Sequence, residues 1–141
     1  MTLNIYLAAA FARKAEIAHD ASLLRRAGLG IASTWHDAPH DLTPEAELTY
    51  PQRARLAERD RDDLERAAVL VLYGDAPGAY AGSGGKFVEF GYALALDLHI
   101  VIIGHRESVY GCLPEIVFCE TTDAARIYLA GLTIRSNGRA A

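Results

Sequence analysis

Cysteine is scarce in this chain, and the scarcity excludes several protein classes. The two cysteines, Cys112 and Cys119, form neither a disulfide framework nor a Cys-x-x-Cys metal or redox motif. We therefore expect both thiols to be reduced and to be buried as small side chains. Free thiols of this kind are typical of a reducing compartment, so the sequence predicts a cytoplasmic protein.

A basic excess and a long apolar run are also missing. The chain has 14 Lys and Arg against 18 Asp and Glu, which gives a formal net charge of −4. A protein that binds a nucleic acid polymer would need a basic face instead. No apolar run approaches the roughly 20 residues of a membrane span, and the first residues, MTLNIY, do not resemble a signal peptide. We therefore expect neither nucleic acid polymers nor membranes as partners.

The composition that remains is that of a globular domain. Hydrophobic residues make up 51% of the chain and charged residues 23%, which is ordinary for a protein with a packed core. The length suits one domain, which we predict over residues 1–135, followed by a frayed tail over 136–141.

Apolar and polar stretches alternate along the chain as strands alternate with helices. Strands are predicted over 3–10, 29–35, 68–73, 99–104 and 115–119. Helices are predicted over 13–27, 51–67, 87–98 and 122–132. Alternation of this kind predicts right-handed crossovers and a parallel sheet covered on both faces. We predict an α/β flavodoxin-like or Rossmann-like three-layer sandwich with five parallel strands in the order 2-1-3-4-5.

The most informative stretch is the glycine-rich run over 82–85 and the apolar helix behind it. In open parallel sheets, ligands bind beyond the carboxyl ends of the strands, near the switch point at which the strand order reverses direction. The glycine-rich run is expected at this place. Glu89 is placed in the first helical turn between Val88 and Phe90. Glycines let a ligand approach the backbone closely, and free helix N–H groups favour a carboxylate. Glu89 is either a nucleophile or anchoring base, or simply a residue that complements the helix dipole.

A second candidate acid lies on the charged helix over 51–67. Asp60 shares a stripe with Leu56 and Leu64, so it is predicted to face inward. An inward charge must be paired or functional, and the spacing leaves both alternatives open. Asp62 and Asp63 are interpreted as surface residues.

Other polar and aromatic groups fall at the same edge of the sheet. Tyr6, near the end of the first strand, is most simply a core residue, and its alternative role is a hydrogen bond that orients Glu89. Ser83 can donate to a phosphate or a sugar hydroxyl, while Trp35 can stack on a base or pack in the core. His36 adds a polar group at the same rim.

Known cofactor motifs do not fit. Tyr80 stands where a Walker A motif has its first glycine, and Phe87 replaces the Ser or Thr after Lys86. No G-x-G-x-x-G follows the first strand, and no histidines have the spacing of a metal site on one helix. We therefore expect neither a cofactor nor a metal.

Taken together, three segments resemble the nucleoside 2-deoxyribosyltransferase-like family, which includes the 2′-deoxynucleoside 5′-phosphate N-hydrolases. They are YLAAAF over 6–11, ERD over 58–60 before the third strand, and SGG then VEFGYA over 83–93. The resemblance implies that Glu89 attacks C1′ of the sugar, that Asp60 serves as acid/base or holds a sugar hydroxyl, and that Tyr6 positions Glu89. It also implies substrate contacts from a further set of residues, namely Ala8, Phe11, Trp35, His36, Ser83 and Gly85.

The likeness also implies a small-molecule nucleoside or nucleotide as the substrate and a homodimer or larger homo-oligomer as the assembly. A retaining transfer requires two carboxyl groups roughly 5–5.5 Å apart, and the glycosyl-enzyme is resolved by a second base or by water. The loop over 8–13 departs from the pattern with Gly, Ser and Arg of the phosphate-dependent hydrolases, whereas Ser83 matches them. The sequence does not decide whether the substrate is a nucleoside or its monophosphate. It also does not decide whether the reaction is transfer or hydrolysis. The alternative is a nucleotide-binding or sensor module of the same fold without turnover.

Overall fold

The structure, a computed structural model, describes residues 2–37, 44–79, 82 and 84–138. The strands in these ranges are β1 Asn4–Ala8, β2 Gly30–Ile31, β3 Val69–Tyr73, β4 His99–Ile103 and β5 Val117–Cys119. The α-helices are α1 Lys14–Arg26, α2 Tyr50–Glu65, α3 Gly85–Ala95 and α4 Thr122–Gly138. Helix α4 therefore continues into the segment that we expected to fray.

The strands form one parallel sheet in the order β2-β1-β3-β4-β5. The flavodoxin-like α/β class and the strand order predicted from the sequence are confirmed. The central strand β3 is buried along its whole length, because β1 and β4 pair with its edges and helices cover the sheet. Burial on both faces explains why its sequence, VLVLY, is apolar throughout rather than alternating.

Strand β2 is much shorter than the predicted strand over 29–35, which is wrong beyond Ile31. Ala32 N still donates to the Ile5 carbonyl at 2.7 Å, and beyond Ala32 side chains replace the backbone as partners of β1. The Leu7 N–H donates to Ser33 Oγ at 3.0 Å, and Trp35 Nε1 donates to the Leu7 carbonyl at 2.7 Å. Because both backbone groups of Leu7 are satisfied in this way, the edge of β1 needs no further strand.

Asp63 is buried, with 2% of its surface exposed, so its interpretation as a surface residue is wrong. One carboxylate oxygen, Oδ2, accepts hydrogen bonds from Thr34 N at 3.0 Å and Thr34 Oγ1 at 2.7 Å. The other oxygen pairs with Arg66 one helical turn further along α2. Asp63 thus fixes α2 against the segment that follows β2, which contains Thr34. Helical periodicity does not reveal this contact.

The two cysteines also differ from expectation. Cys119 is buried at the end of β5, as predicted, but Cys112 is exposed. Cys112 ends a short 3₁₀ turn that begins at Val109, and Val109 and Tyr110 of this turn are exposed as well. No α-helix in the described part of the chain is both long enough and apolar enough to cross a membrane.

Replacing Asp63 tests its role in joining α2 to the β2 region. We expect Asp63→Ala to lower the free energy of unfolding by about 1–3 kcal/mol, because the variant loses two hydrogen bonds from Thr34 to a buried carboxylate. Asp62→Ala, at the adjacent exposed position, should change it by less than about 0.5 kcal/mol. Urea unfolding of the two variants compares them directly, and equal effects would contradict the assigned contact.

Candidate active site

A cavity of about 570 Å³ opens at the carboxyl end of the sheet, a size typical of small-molecule sites. Its described walls come from the inward face of α2, from the start of α3 and from the segments that follow β1, β2, β3 and β4. Glu89 and Asp60 both line it. The cavity therefore lies at the carboxyl ends of the parallel strands, the edge at which the sequence predicted a ligand site.

Helix α3 begins earlier than predicted, which changes the position of Glu89. Gly84 adopts a left-handed conformation with φ of 84°, which favours glycine, and the helix runs from Gly85 to Ala95. The prediction that Glu89 lies in the first turn is wrong, because the first turn contains no acidic residue. Lys86 occupies that turn instead, and Glu89 follows it by almost one turn. The dipole explanation for Glu89 loses its basis, since the dipole effect fades beyond the first turn.

The carboxyl group of Glu89 is withdrawn from water. Its Oε2 atom is buried and has no hydrogen-bond partner among the described residues. Burial, and then the nearby charge of Asp60, raise the pKa of Glu89 from 4.5 to about 8. An interaction with Tyr6 opposes this rise. At neutral pH the free protein therefore holds Glu89 mainly in its protonated form.

Tyr6 lies directly behind the two carboxyl groups. Its side chain is fully buried in β1, and burial followed by the charges of Glu89 and Asp60 raises the pKa of its hydroxyl. The hydroxyl approaches Glu89 closely enough to favour the carboxylate, although the contact falls short of full hydrogen-bond geometry. Since Tyr6 has no exposed surface, it can act on a ligand only through Glu89.

Asp60 is partly exposed to the cavity and is paired with its neighbour in sequence. Arg59 donates to Asp60 Oδ1 from Nε at 3.1 Å and from Nη2 at 3.0 Å. Both residues line the cavity, and each side chain is 26% exposed. The structure thus brings together the three residues predicted to be catalytic, and it adds a guanidinium beside one of them.

Three of the predicted substrate contacts line the cavity: Phe11, Trp35 and Gly85. The rings of Phe11 and Trp35 lie 6.4 Å apart between centroids and are inclined by 38°, so together they form an aromatic wall. Phe11 is half-exposed while Trp35 is buried. Such a wall suits the flat face of a heteroaromatic ring.

Two other predicted contacts, Ala8 and His36, do not line the cavity, and Ser83 lies outside the described residues. Ala8 is fully buried at the end of β1, behind the residues of the following loop. The buried His36 ring meets Trp35 edge-on at 5.5 Å, with Nε2 2.9 Å from Ser33 Oγ. Burial lowers the pKa of His36. His36 therefore packs against Trp35 outside the cavity lining.

An ionic cluster that was not predicted from the sequence lies at the start of α3. Lys86 Nζ donates to Asp75 Oδ2 at 2.6 Å and to Glu107 Oε2 at 2.5 Å, and all three residues line the cavity. Gly74 permits this arrangement, because a Cβ there would lie only 2.0 Å from the His105 carbonyl oxygen. The position of Asp75 in the sequence could have indicated this cluster, because Asp75 is the first acid after β3, at the edge of the sheet where ligands bind.

Arg13 extends this cluster toward α1. Its Nη1 atom donates to Asp75 Oδ1 at 2.9 Å, and its side chain also pairs with Glu16. Within the described residues, no group of three or more His, Cys, Asp or Glu side chains could hold a metal ion.

Solved structures with the same fold include two enzymes of nucleoside chemistry. A CMP N-glycosidase from Clostridium botulinum is 15% identical, with 89% of this chain and 97% of that chain covered and a TM-score of 0.56. A 2-deoxyribosyltransferase from Bacillus psychrosaccharolyticus is 16% identical, with coverage of 87% and 90% and a TM-score of 0.62. A conserved protein from Enterococcus faecalis V583 is 15% identical, with coverage of 94% and 89% and a TM-score of 0.53.

No protein-family model matches the sequence, and no curated protein matches it. The structural similarities, at identities this low, show the fold. The chain has a nucleoside 2-deoxyribosyltransferase-like fold, as the sequence resemblance predicted.

The raised pKa of Glu89 predicts a pH-dependent stability. Between about pH 4.5 and 8 the folded protein binds more protons at Glu89 than the unfolded chain does, so stability falls as pH rises through this window. Glu89→Gln keeps the shape and removes the titration. We expect this variant to match the wild type near pH 4.5 and to exceed its free energy of unfolding above pH 8. One pKa unit corresponds to about 1.4 kcal/mol, so the gain should be on the order of a few kcal/mol.

Urea unfolding at a series of pH values measures this difference. Glu58→Gln, at an exposed position of α2, serves as the control and should keep the pH dependence of the wild type. Parallel curves for the wild type and Glu89→Gln would contradict a desolvated Glu89.

Proposed function

We propose that this protein cleaves or transfers the N-glycosidic bond of a 2′-deoxynucleoside or its 5′-monophosphate. The observation that carries the proposal is the buried carboxyl group of Glu89, which faces a small-molecule cavity together with Asp60 and has Tyr6 behind it. The fold shared with an N-glycosidase and a deoxyribosyltransferase supports the same chemistry.

In the first step, the Glu89 carboxylate attacks C1′ of the sugar. A bond forms between a Glu89 oxygen and C1′ while the bond from C1′ to the base nitrogen breaks, and its electrons leave with the base. The departing base takes up a proton, and Asp60 is placed to assist this transfer or to hold a sugar hydroxyl. In the second step, water or a second base attacks C1′, the bond between C1′ and the Glu89 oxygen breaks, and the proton of the attacking group passes to Asp60 or to solvent.

The environment of Glu89 suits a nucleophile that is protonated in the free protein and becomes ionised before it reacts. Glu89 must lose its proton before it attacks, and Tyr6 favours the ionised form. A carboxylate without a hydration shell is more reactive toward carbon than one in water. Tyr6 is a positioning residue in this scheme, because it acts on Glu89 and not on the sugar.

The aromatic wall gives the base a place to bind. Phe11 and Trp35 contribute their rings to the cavity lining, while Asp60 and Glu89 mark where C1′ must sit. Base and sugar thus meet different surfaces, as a nucleoside requires.

We also propose a homo-oligomeric assembly. The outer face of α3 exposes Val88, Tyr92 and Leu96 at helical spacing, an apolar stripe of the kind that marks interaction surfaces. Sedimentation equilibrium of the purified protein measures its mass in solution, and a monomer at micromolar concentration would refute the assembly.

A chromatographic assay for free base tests the function. A panel of deoxynucleosides and their 5′-monophosphates is incubated with the protein, each with and without a second base. We expect base release by the wild type, a loss of at least about a thousandfold in Glu89→Ala, and a kcat/KM that rises with pH until Glu89 is ionised near pH 8. Release only with a second base present indicates transfer, and release in water alone indicates hydrolysis.

Full activity of a correctly folded Glu89→Ala would refute the mechanism. Measurable binding without release from any substrate would instead support a binding module of the same fold. Glu58→Ala is the matched control for removal of an acid.

A further inference from the structure

The cations that line the cavity differ in one respect: whether a carboxylate neutralises them. Among the described lining residues the cations are Arg53, Arg59 and Lys86. Arg59 is paired with Asp60, and Lys86 is held by two carboxylates. Arg53 forms no ion pair with any described residue, so its charge is the uncompensated one in this part of the lining.

Arg53 is nevertheless held in a defined position. Its guanidinium carbon lies 5.6 Å from the centroid of the Tyr50 ring, a cation–π distance. Its Nε atom is buried and has no acceptor among the described residues. A buried N–H group without an acceptor costs free energy that a hydrogen bond would recover. The cavity therefore offers a fixed donor that lacks an acceptor.

The surroundings of Arg53 indicate which part of a substrate supplies that acceptor. Arg53 shares the cavity lining with Leu48 and Leu56 and with the aromatic wall. A phosphate dianion would be poorly solvated among these side chains. The planar edge of a nucleobase, with apolar faces and oxygen or nitrogen at its rim, fits them better.

The spacing along α2 supports the same assignment. Arg53 precedes Asp60 by seven residues, about two helical turns or roughly 10 Å along the axis. Asp60 and Glu89 mark the position of C1′ under the proposed function. A group two turns away can therefore reach the far edge of the base with its long side chain.

We propose that Arg53 determines the base specificity of the reaction by selecting bases that present a carbonyl oxygen at this edge over bases that present an amino group. A guanidinium has donors and no acceptor, so it pairs with a carbonyl and with an adjacent ring nitrogen, as arginine does with O6 and N7 of guanine. An exocyclic amino group would place donor against donor. This inference rests on the proposed function for the position of the sugar.

Two pairs of matched substrates test the proposal: deoxyinosine against deoxyadenosine, and deoxyuridine against deoxycytidine. Within each pair the main difference is a carbonyl in place of an amino group. We expect the wild type to favour the carbonyl member of at least one pair by about tenfold or more in kcat/KM. Arg53→Gln should abolish or reverse that preference, because a glutamine side chain can pair with adenine. Arg53→Lys, which keeps the charge and loses the planar pair of donors, should reduce it.

Arg55→Gln is the matched control, since it removes the same charge from an exposed position of the same helix. It should leave the preference unchanged. Thermal unfolding of each variant verifies that it is folded. If Arg53→Gln does not fold, the base preference of Arg53→Lys tests the proposal instead. The proposal would be overturned if the Arg53 variants lost kcat/KM equally for both members of each pair. It would also be overturned if their loss of kcat/KM depended on the 5′-phosphate and not on the base.

Binding of free hypoxanthine and adenine, measured by calorimetry, separates this proposal from the proposed function. If no substrate is turned over but hypoxanthine binds more tightly and Arg53→Gln removes the difference, the function fails while the role of Arg53 stands. If bases are released but Arg53→Gln keeps the wild-type preference, the function stands and the role of Arg53 is refuted.

Discussion

The withdrawal of one carboxyl group from water is the constraint on which the site depends. Glu89 is partly buried on α3, with its Oε2 atom out of contact with water, and it lies near a second acid, Asp60, and the hydroxyl of Tyr6. Water would stabilise the carboxylate, so its exclusion keeps the proton on Glu89 and costs stability whenever that proton leaves. A protein keeps such a group only if the surrounding structure is stable enough to carry it. Strand β3, which is buried throughout, and strand β1, which is buried from Ile5 to Ala8, provide that support.

Pairing accounts for most of the remaining charge around the cavity. Lys86 is neutralised by Asp75 and Glu107, and Arg59 by Asp60. Buried or half-buried pairs of this kind add little net stability, but removing one partner leaves an uncompensated charge and is expensive. The pairs therefore fix side-chain positions around the cavity. They also leave Arg53 as a distinct group, with its charge available to a ligand.

Much of the fold follows from local sequence patterns. The apolar run over 68–73 and the alternation of strands with helices were sufficient for the strand order, because handedness and short connections leave few alternatives. Glu89 and Asp60 could be found because one follows a glycine run at the switch point and the other lies on an apolar helical stripe. Phe11 was suggested by the family resemblance, and Trp35 by its place at the end of a predicted strand that proved shorter.

The features that sequence reasoning missed depend on contacts between distant parts of the chain. Asp63 is buried because of Thr34, 29 residues away, and Lys86 is neutralised from a loop 21 residues further on. The short β2 results from side chains that satisfy Leu7 from across the sheet edge. Periodicity describes which face of a helix is apolar, but it contains no information about which loop will cover that face.

The most direct test of a desolvated Glu89 is its own titration. Carbon-13 NMR of protein labelled at the glutamate carboxyl carbons, with the Glu89 signal assigned by its loss in Glu89→Gln, follows this group alone. A midpoint near pH 8 is the result that burial beside Asp60 predicts. A midpoint near 4.5 would mean that the carboxyl is hydrated, and it would contradict the central role given to its burial.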